Sequence, residues 1–276
     1  MIKEIGYQSK YLHTDIVNQC FQDNTYNFVD KQHTGNGFTT GFLKLTPTHE
    51  YQSNIIIVPN REVVKSKKFI YDLTKDNDVT IGFFFGDETS DRLEFGKFDV
   101  MMFVVDSFLN YLHTIKANIY SVDKILIDEA HSILIQSTFR QPLVGFTDLV
   151  RKEFKTSAIV SVTATPLLFT KVDIKLVTKN IEQRNIHISQ HQGNSLKRLQ
   201  DSLAKGNKCL IATQDARILK KLSNYKNKLT ANIKVGTTLF QKIVETVDLT
   251  VSEDAQLTII SSAGFEGFDV DNGIND

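Results

Sequence analysis

Ile125-Leu126-Ile127-Asp128-Glu129-Ala130-His131 decides the fold of this 276-residue chain. Lys124 to Ile127 includes three bulky or β-branched apolar side chains, which marks a buried strand. Two adjacent carboxylates follow it. In open α/β sheets the ligand crevice lies outside the carboxyl ends of parallel strands, so Asp128 and Glu129 fall where a bound group would meet them. An Asp held on Mg²⁺ and a neighbouring Glu on the attacking water is the pairing that phosphoryl-transfer chemistry uses at such a place. His131 carries two readings: it couples the site to a neighbouring strand, or it caps the following helix.

A second stretch lies upstream. Asn27-Phe28-Val29-Asp30-Lys31-Gln32-His33-Thr34-Gly35-Asn36-Gly37-Phe38-Thr39-Thr40 reads as strand, turn and helix. Gly35 and Gly37 allow the backbone N–H groups of residues 35–40 to close around a phosphate, and Thr39 stands where a hydroxyl would bind Mg²⁺. The lysine that a phosphate loop needs for the β- and γ-phosphates is Phe38 here. Lys31, which precedes the turn, and Lys44, about 9 Å further along a helix axis, are expected to be poor substitutes. A charge-assisted hydrogen bond is worth about 1.5–3 kcal/mol, so a lysine restored at position 38 is expected to raise nucleotide affinity by that amount.

Outward from these two stretches, short β-rich runs alternate with helix-compatible ones. Strands are expected over 26–30, 54–58, 79–85, 100–105, 124–127 and 158–162, then over 184–189, 208–212, 232–235 and 256–261. The alternation predicts mainly parallel sheets covered on both faces. Phe83-Phe84-Phe85 reads as core rather than as a stacking platform. Polar residues around Lys171 to Arg184 are expected to connect a first domain, 1–178, to a second, 179–276. The second is short, which leads us to expect a fragment or a reduced form.

Composition narrows the class. The chain is 41% hydrophobic and 23% charged, as a globular protein is, and 32 basic residues balance 32 acidic ones. No global positive field marks a nucleic-acid partner, so any such contact must be a local patch. Cys20 and Cys209 lie far apart in no metal-ligand spacing, which fits reduced thiols. There is no secretory h-region and no apolar run of the roughly 20 residues needed to cross a bilayer. The expected location is the cytoplasm, with no membrane partner.

With these residues in view, the chain resembles the superfamily 2 helicases. Asp128-Glu129-Ala130-His131 matches the DEAH form of motif II, and Ser161-Val162-Thr163-Ala164-Thr165-Pro166 is similar to motif III, with Thr163 and Thr165 at its coupling hydroxyls. Val58-Pro59-Asn60-Arg61-Glu62-Val63-Val64 resembles motif Ia, a backbone-phosphate contact that implies roles for Pro59 and Arg61 and, just beyond, for Lys65, Lys67 and Lys68. Val104-Val105-Asp106-Ser107-Phe108 falls where motif Ib is expected. Ser261 to Val270 follows motif V, with Gly267 and Asp269 at its Gly-x-Asp. Gln8 lies about where these enzymes read adenine, or it is an ordinary surface glutamine. More narrowly, the Gly-x-Gly-Phe-Thr-Thr loop with Pro-Asn-Arg-Glu-Val-Val resembles helicase-like proteins of phages and mobile elements of gut bacteria, which would place the chain in a bacterial host cell.

The resemblance implies tandem RecA-like domains of the P-loop NTPase class, the second truncated, with ATP and Mg²⁺ as cofactors and DNA or RNA as partner. Three departures bear on turnover: Gln32 replaces a small residue at the loop entrance, Phe38 replaces the lysine, and no arginine-bearing motif VI follows motif V. An arginine finger is worth about 10³–10⁵ in rate, so a protein partner supplying one is a further expectation. Two functions stay open on these residues: a nucleic-acid-dependent ATPase or translocase impaired by Phe38, or an inactive helicase-fold binding or scaffold protein.

Overall fold

The computed structural model describes residues 2–9, 11–22, 26–33, 35–73, 78–86, 93–166, 171–178, 195–205, 209–212, 233–235 and 257–260. The chain divides into two compact units, Met1–Glu182 and Gln183–Asp276.

The first unit is one parallel sheet with helices between its strands. Its elements are β1 (Lys3–Tyr7), α1 (Thr14–Gln19), β2 (Tyr26–Asp30), α2 (Phe38–Phe42), β3 (Ser53–Val58), α3 (Arg61–Leu73), β4 (Ile81–Phe84) and β5 (Val100–Val104). They continue as α4 (Val105–Ala117), β6 (Val122–Ile127), α5 (Ala130–Ser137), α6 (Phe146–Glu153), β7 (Ala158–Thr163) and β8 (Ile174–Thr178). The strand order is β1-β8-β2-β7-β6-β3-β5-β4, and every pairing is parallel.

Parallel sheets buried on both faces favour unbroken apolar runs over alternation. All six residues of β3 and all five of β5 are buried. Phe84 stacks on Phe103 at 4.5 Å between ring centroids, and Phe108 meets Phe103 edge-on at 5.9 Å. Phe83, Phe84 and Phe85 are all buried, as core residues are.

Two strands depart from the expected pattern. β1 has only Ile5 and Tyr7 buried, because as an edge strand it leaves Lys3 and Glu4 in solvent, and its apolar signal is correspondingly weak. β8 lies inside the stretch read as a connector. There Ile174 and Leu176 are buried on either side of Lys175, and the strand pairs with both β1 and β2.

The second unit contains α7 (Ser195–Ala204) and a parallel sheet of β9 (Cys209–Ala212), β10 (Ile233–Val235) and β11 (Leu257–Ile260), in the order β10-β11-β9.

Candidate functional site

The sheet order sets up the site. β7 and β6 lie between β2 and β3, so the carboxyl ends of β2, β7 and β6 stand side by side. Lys31 continues β2 by one residue, its N–H donating to Thr163 O at 2.8 Å, and Asp128 continues β6, its N–H donating to Ile57 O at 2.9 Å. Thr163, the last residue of β7, lies between them.

Thr39 Oγ1 donates to Asp128 Oδ2 at 2.5 Å, which brings together the two residues proposed from sequence as the metal pair. The loop leading into Thr39 bends as its glycines allow. Gly35 and Gly37 adopt φ of 71° and 84°, and a Cβ on Gly37 would come within 3.3 Å of Tyr11 Cβ. Asn36 closes the turn: its side-chain N–H donates to Lys31 O at 2.9 Å, its Oδ1 accepts Phe38 N–H at 3.2 Å, and its carbonyl accepts Leu12 N–H at 2.8 Å. Thr40 is exposed.

Phe38 does not face this space. Its side chain is 1% exposed and belongs to the hydrophobic core, beside neighbours such as Phe42, whose ring lies 5.4 Å from that of Phe21. Only the main chain of residue 38 can serve a phosphate.

Lys31, although it precedes the turn, reaches the carboxylate pair. Its side chain is 5% exposed, and Nζ donates to Glu129 Oε1 at 2.5 Å and to Asp128 Oδ1 at 3.4 Å. The turn after β2 is the cause. Gln32 takes a left-handed φ of 62° and donates through both its backbone N–H and its side chain to Asp30, so the lysine is left at the strand end, pointing across β7. Strands two apart in a sheet are separated by about 9–10 Å, a gap that a lysine and a carboxylate can close between them. Burial works against the Lys31 charge, but the Asp128 and Glu129 carboxylates outweigh it and hold the ammonium above the usual lysine range. A lysine directly after an apolar strand and before a glycine loop was the signal available in the sequence.

Glu129 is the other non-glycine residue at positive φ among the described residues, at 45°. Such conformations cost about 1–3 kcal/mol and gather at functional sites. Burial pushes its carboxyl up, but His131 and the Lys31 ammonium outweigh that and hold it below the usual carboxylate range. Its Oε2 lies 3.3 Å from His131 Nδ1 without hydrogen-bond geometry, and is buried with no hydrogen-bond partner.

His131 does not cap α5, whose N-cap position is Glu129. Its Nδ1 lies 2.8 Å from Thr163 Oγ1 and its Nε2 lies 3.1 Å from Ser132 Oγ. Thr163 Oγ1 also accepts Thr165 N–H at 2.9 Å. A chain of contacts thus runs from Glu129 through His131 to both threonines.

The motif Ia-like residues lie past β3. Pro59 is buried, so its side chain cannot meet a partner, whereas Arg61 is exposed with its guanidinium against Gly86. Gly86 N–H donates to Ser107 Oγ at 3.0 Å, which ties the Arg61 neighbourhood to the residues read as motif Ib. The lysines of α3 diverge. Lys68 pairs with Asp72 at 3.0 Å, Lys67 Nζ lies 3.5 Å from Thr40 Oγ1, and Lys65 is half-buried. Gln8 is exposed just past β1. Gly267 and Asp269 lie outside the described residues.

No helix among the described residues is long and apolar enough to cross a membrane. No protein-family profile matches the chain. No curated protein matches it either. Solved structures do. The helicase Lhr of Mycobacterium smegmatis, bound to ssDNA and AMP-PNP, aligns with a TM-score of 0.59 at 13% identity over 88% of this chain and 38% of its own. The DEAD-box helicase Mss116, bound to ssRNA and UDP-BeF, gives 0.59 at 12% identity over 98% and 70%. Dbp5 of S. cerevisiae, bound to RNA and ADP BeF3, gives 0.56 at 14% over 93% and 71%. This chain therefore spans well under half the length of Lhr and about seven-tenths of the other two. Its fold is the parallel-sheet α/β fold of RecA-like helicase domains.

Proposed function

We propose that this chain is a helicase-type protein that binds ATP with Mg²⁺ and couples it to DNA or RNA. The observation that carries this reading is the Thr39–Asp128 hydrogen bond with the buried Glu129 carboxylate beside it. Mg²⁺ takes hard oxygen ligands, commonly one or two from protein with the rest from water and phosphate, and the Thr39 hydroxyl and Asp128 carboxylate suit it. Bound there, the ion would neutralise charge on the phosphates.

The chain's own residues supply the remainder. The main chain of residues 35–40 lines the phosphates, Glu129 offers a buried acceptor to orient a water, and the His131–Thr163–Thr165 contacts relay the state of the site to the end of β7. Arg61, beside Gly86 and Ser107, meets the nucleic-acid backbone. The DEAH form of motif II and the kinship with phage and mobile-element proteins belong to the same proposal, as does a partner that provides an arginine.

A second reading has its own support. Glu129 Oε1 is already paired to Lys31, and Phe38 is core, as in a helicase-fold scaffold that no longer turns over ATP. One experiment separates the two: titrate the chain with ATP with and without Mg²⁺ and single-stranded DNA or RNA, then assay turnover on the same sample. Mg²⁺-dependent binding with phosphate release that Glu129→Gln abolishes supports the ATPase. Binding without turnover supports the scaffold, and absence of binding removes the nucleotide site.

A further inference from the structure

We propose that Lys31 is the phosphate-binding lysine of this site, delivered from the end of β2 instead of from the loop. The inference rests on the nucleotide-site reading above and deepens it. A phosphate loop without its own lysine lacks the cation that offsets triphosphate charge, and here the deficit is sharpened by two carboxylates at the same point. Phe38 cannot correct this, because its side chain is committed to the core. Lys31 is the buried ammonium at the place where the charge is needed, within 3.4 Å of the carboxylate whose other oxygen takes the Thr39 hydroxyl.

The root of this lysine is fixed on both sides. Its N–H is bonded to Thr163 O, and its carbonyl accepts both His33 N–H at 2.7 Å and the Asn36 side chain at 2.9 Å. The loop that would hold the phosphates is therefore tied through Asn36 to the backbone of Lys31. Only the side chain is left to adjust. An ammonium carries three donors, and those directed at Glu129 and Asp128 can be re-aimed by rotation about the terminal bonds. A phosphate oxygen entering between Thr39 and Glu129 competes with Glu129 Oε1 for the ammonium. Lys31 moves to the phosphate, and Glu129 Oε1 becomes an acceptor for water. The same lysine thus binds the phosphates and, by leaving Glu129, makes its carboxylate available only once they are present.

The test uses the full chain with ATP, ADP and AMP in the presence of Mg²⁺. Lys31→Met is expected to weaken ATP about 10- to 100-fold, ADP less, and AMP hardly at all, so that discrimination by phosphate number collapses. Equal weakening of all three nucleotides, or ATP affinity equal to wild type, overturns the proposal and leaves the nucleotide site standing. If the wild-type chain binds none of them, both fall. Lys31→Met leaves two buried carboxylates without a countercharge and could impair folding, so the same comparison is made between Glu129→Gln and the Lys31→Met/Glu129→Gln double variant. A further 10-fold or greater loss of ATP over AMP in the double variant supports the assignment, and no further loss overturns it.

Discussion

His131 Nδ1 stands 2.8 Å from Thr163 Oγ1, joining the helix that follows the carboxylate pair to the end of the adjacent strand. The contact spans two elements that meet only in the folded sheet, and Thr163 passes it on to the backbone of Thr165. Side chains in such a network are coupled by about 0.5–3 kcal/mol. A cycle of His131→Ala, Thr163→Val and the double variant, measured by urea unfolding, is expected to return a coupling in that range. Additive effects would mean that the contact does not bind β7 to α5.

Phe38→Lys is expected to harm the fold instead of repairing the site. The side chain it replaces is 1% exposed, and an unpaired ammonium in the core costs several kcal/mol unless it escapes to solvent. The urea midpoint should fall sharply, with Phe38→Leu falling far less. Nucleotide affinity should not rise by the 1.5–3 kcal/mol that the sequence pattern implies for a loop lysine. A tighter-binding, undamaged Phe38→Lys protein would show that this side chain points to the phosphates after all.

If Arg61 tracks a phosphate, nucleic-acid binding should weaken with salt at about −0.7 log unit per log unit for each phosphate neutralised on a single strand. Arg61→Ala should remove nearly one such contact, equally for unrelated sequences. Lys68→Ala should change the slope less, since Lys68 is paired with Asp72 on its own helix. Unchanged slopes for Arg61→Ala would assign the backbone contact elsewhere.

Asp123 gives the acid side of stability a specific contributor. Burial raises its carboxyl, but Lys124 and the Thr48 donors outweigh that and hold it below the usual range. It accepts Thr48 N–H at 2.8 Å, Thr48 Oγ1 at 2.9 Å and Lys124 Nζ at 2.6 Å. A depressed folded value means stability that is present above the unfolded Asp value of about 3.9 and lost as pH falls through the folded one. Asp123→Asn should therefore destabilise the chain at neutral pH by less than about 1 kcal/mol, since solvent screens this partly exposed group, and progressively less below pH about 4. A penalty that stayed constant into acid would rule out the charged form as its source.

Cys20 should be silent in the native protein. Burial pushes its thiol up to about 12, with Lys3 opposing only weakly. Thiolate is the reactive form, so iodoacetamide at pH 8 should leave Cys20 unmodified until the chain unfolds, as peptide mass mapping can follow. Rapid native labelling would mean that the packing of α1 against α2 opens readily.

Much of the sheet was legible because its central strands are apolar on both faces, so that β3, β5, β6 and β7 stand out as runs bounded by polar residues. The acidic strand end and the glycine loop were legible for a similar reason: their chemistry lies in adjacent residues. What was not legible depends on which strands become neighbours. Lys31 and Glu129 are far apart in the chain, and nothing local says that β7 alone will separate β2 from β6. The direction of Phe38 was hidden in the same way, since a phenylalanine at a lysine position reads as a loss until the core around it is seen. β8 was masked by its polar surroundings and by the lysine between its two buried residues.

The placement of β1 has a consequence for how the chain is made. Its sheet neighbour is β8, so β1 leaves the ribosome well before the strand that pairs with it. Until synthesis passes Thr178, β2 also lacks its β8 partner, and Ile5 and Tyr7 remain uncovered on a dangling segment. Such long-range closure is slow and leaves strand edges open to other chains. Charges on an edge strand disfavour pairing with other chains, so the exposed Lys3 and Glu4 on β1 would protect that edge during the interval, although they contribute little to the finished core.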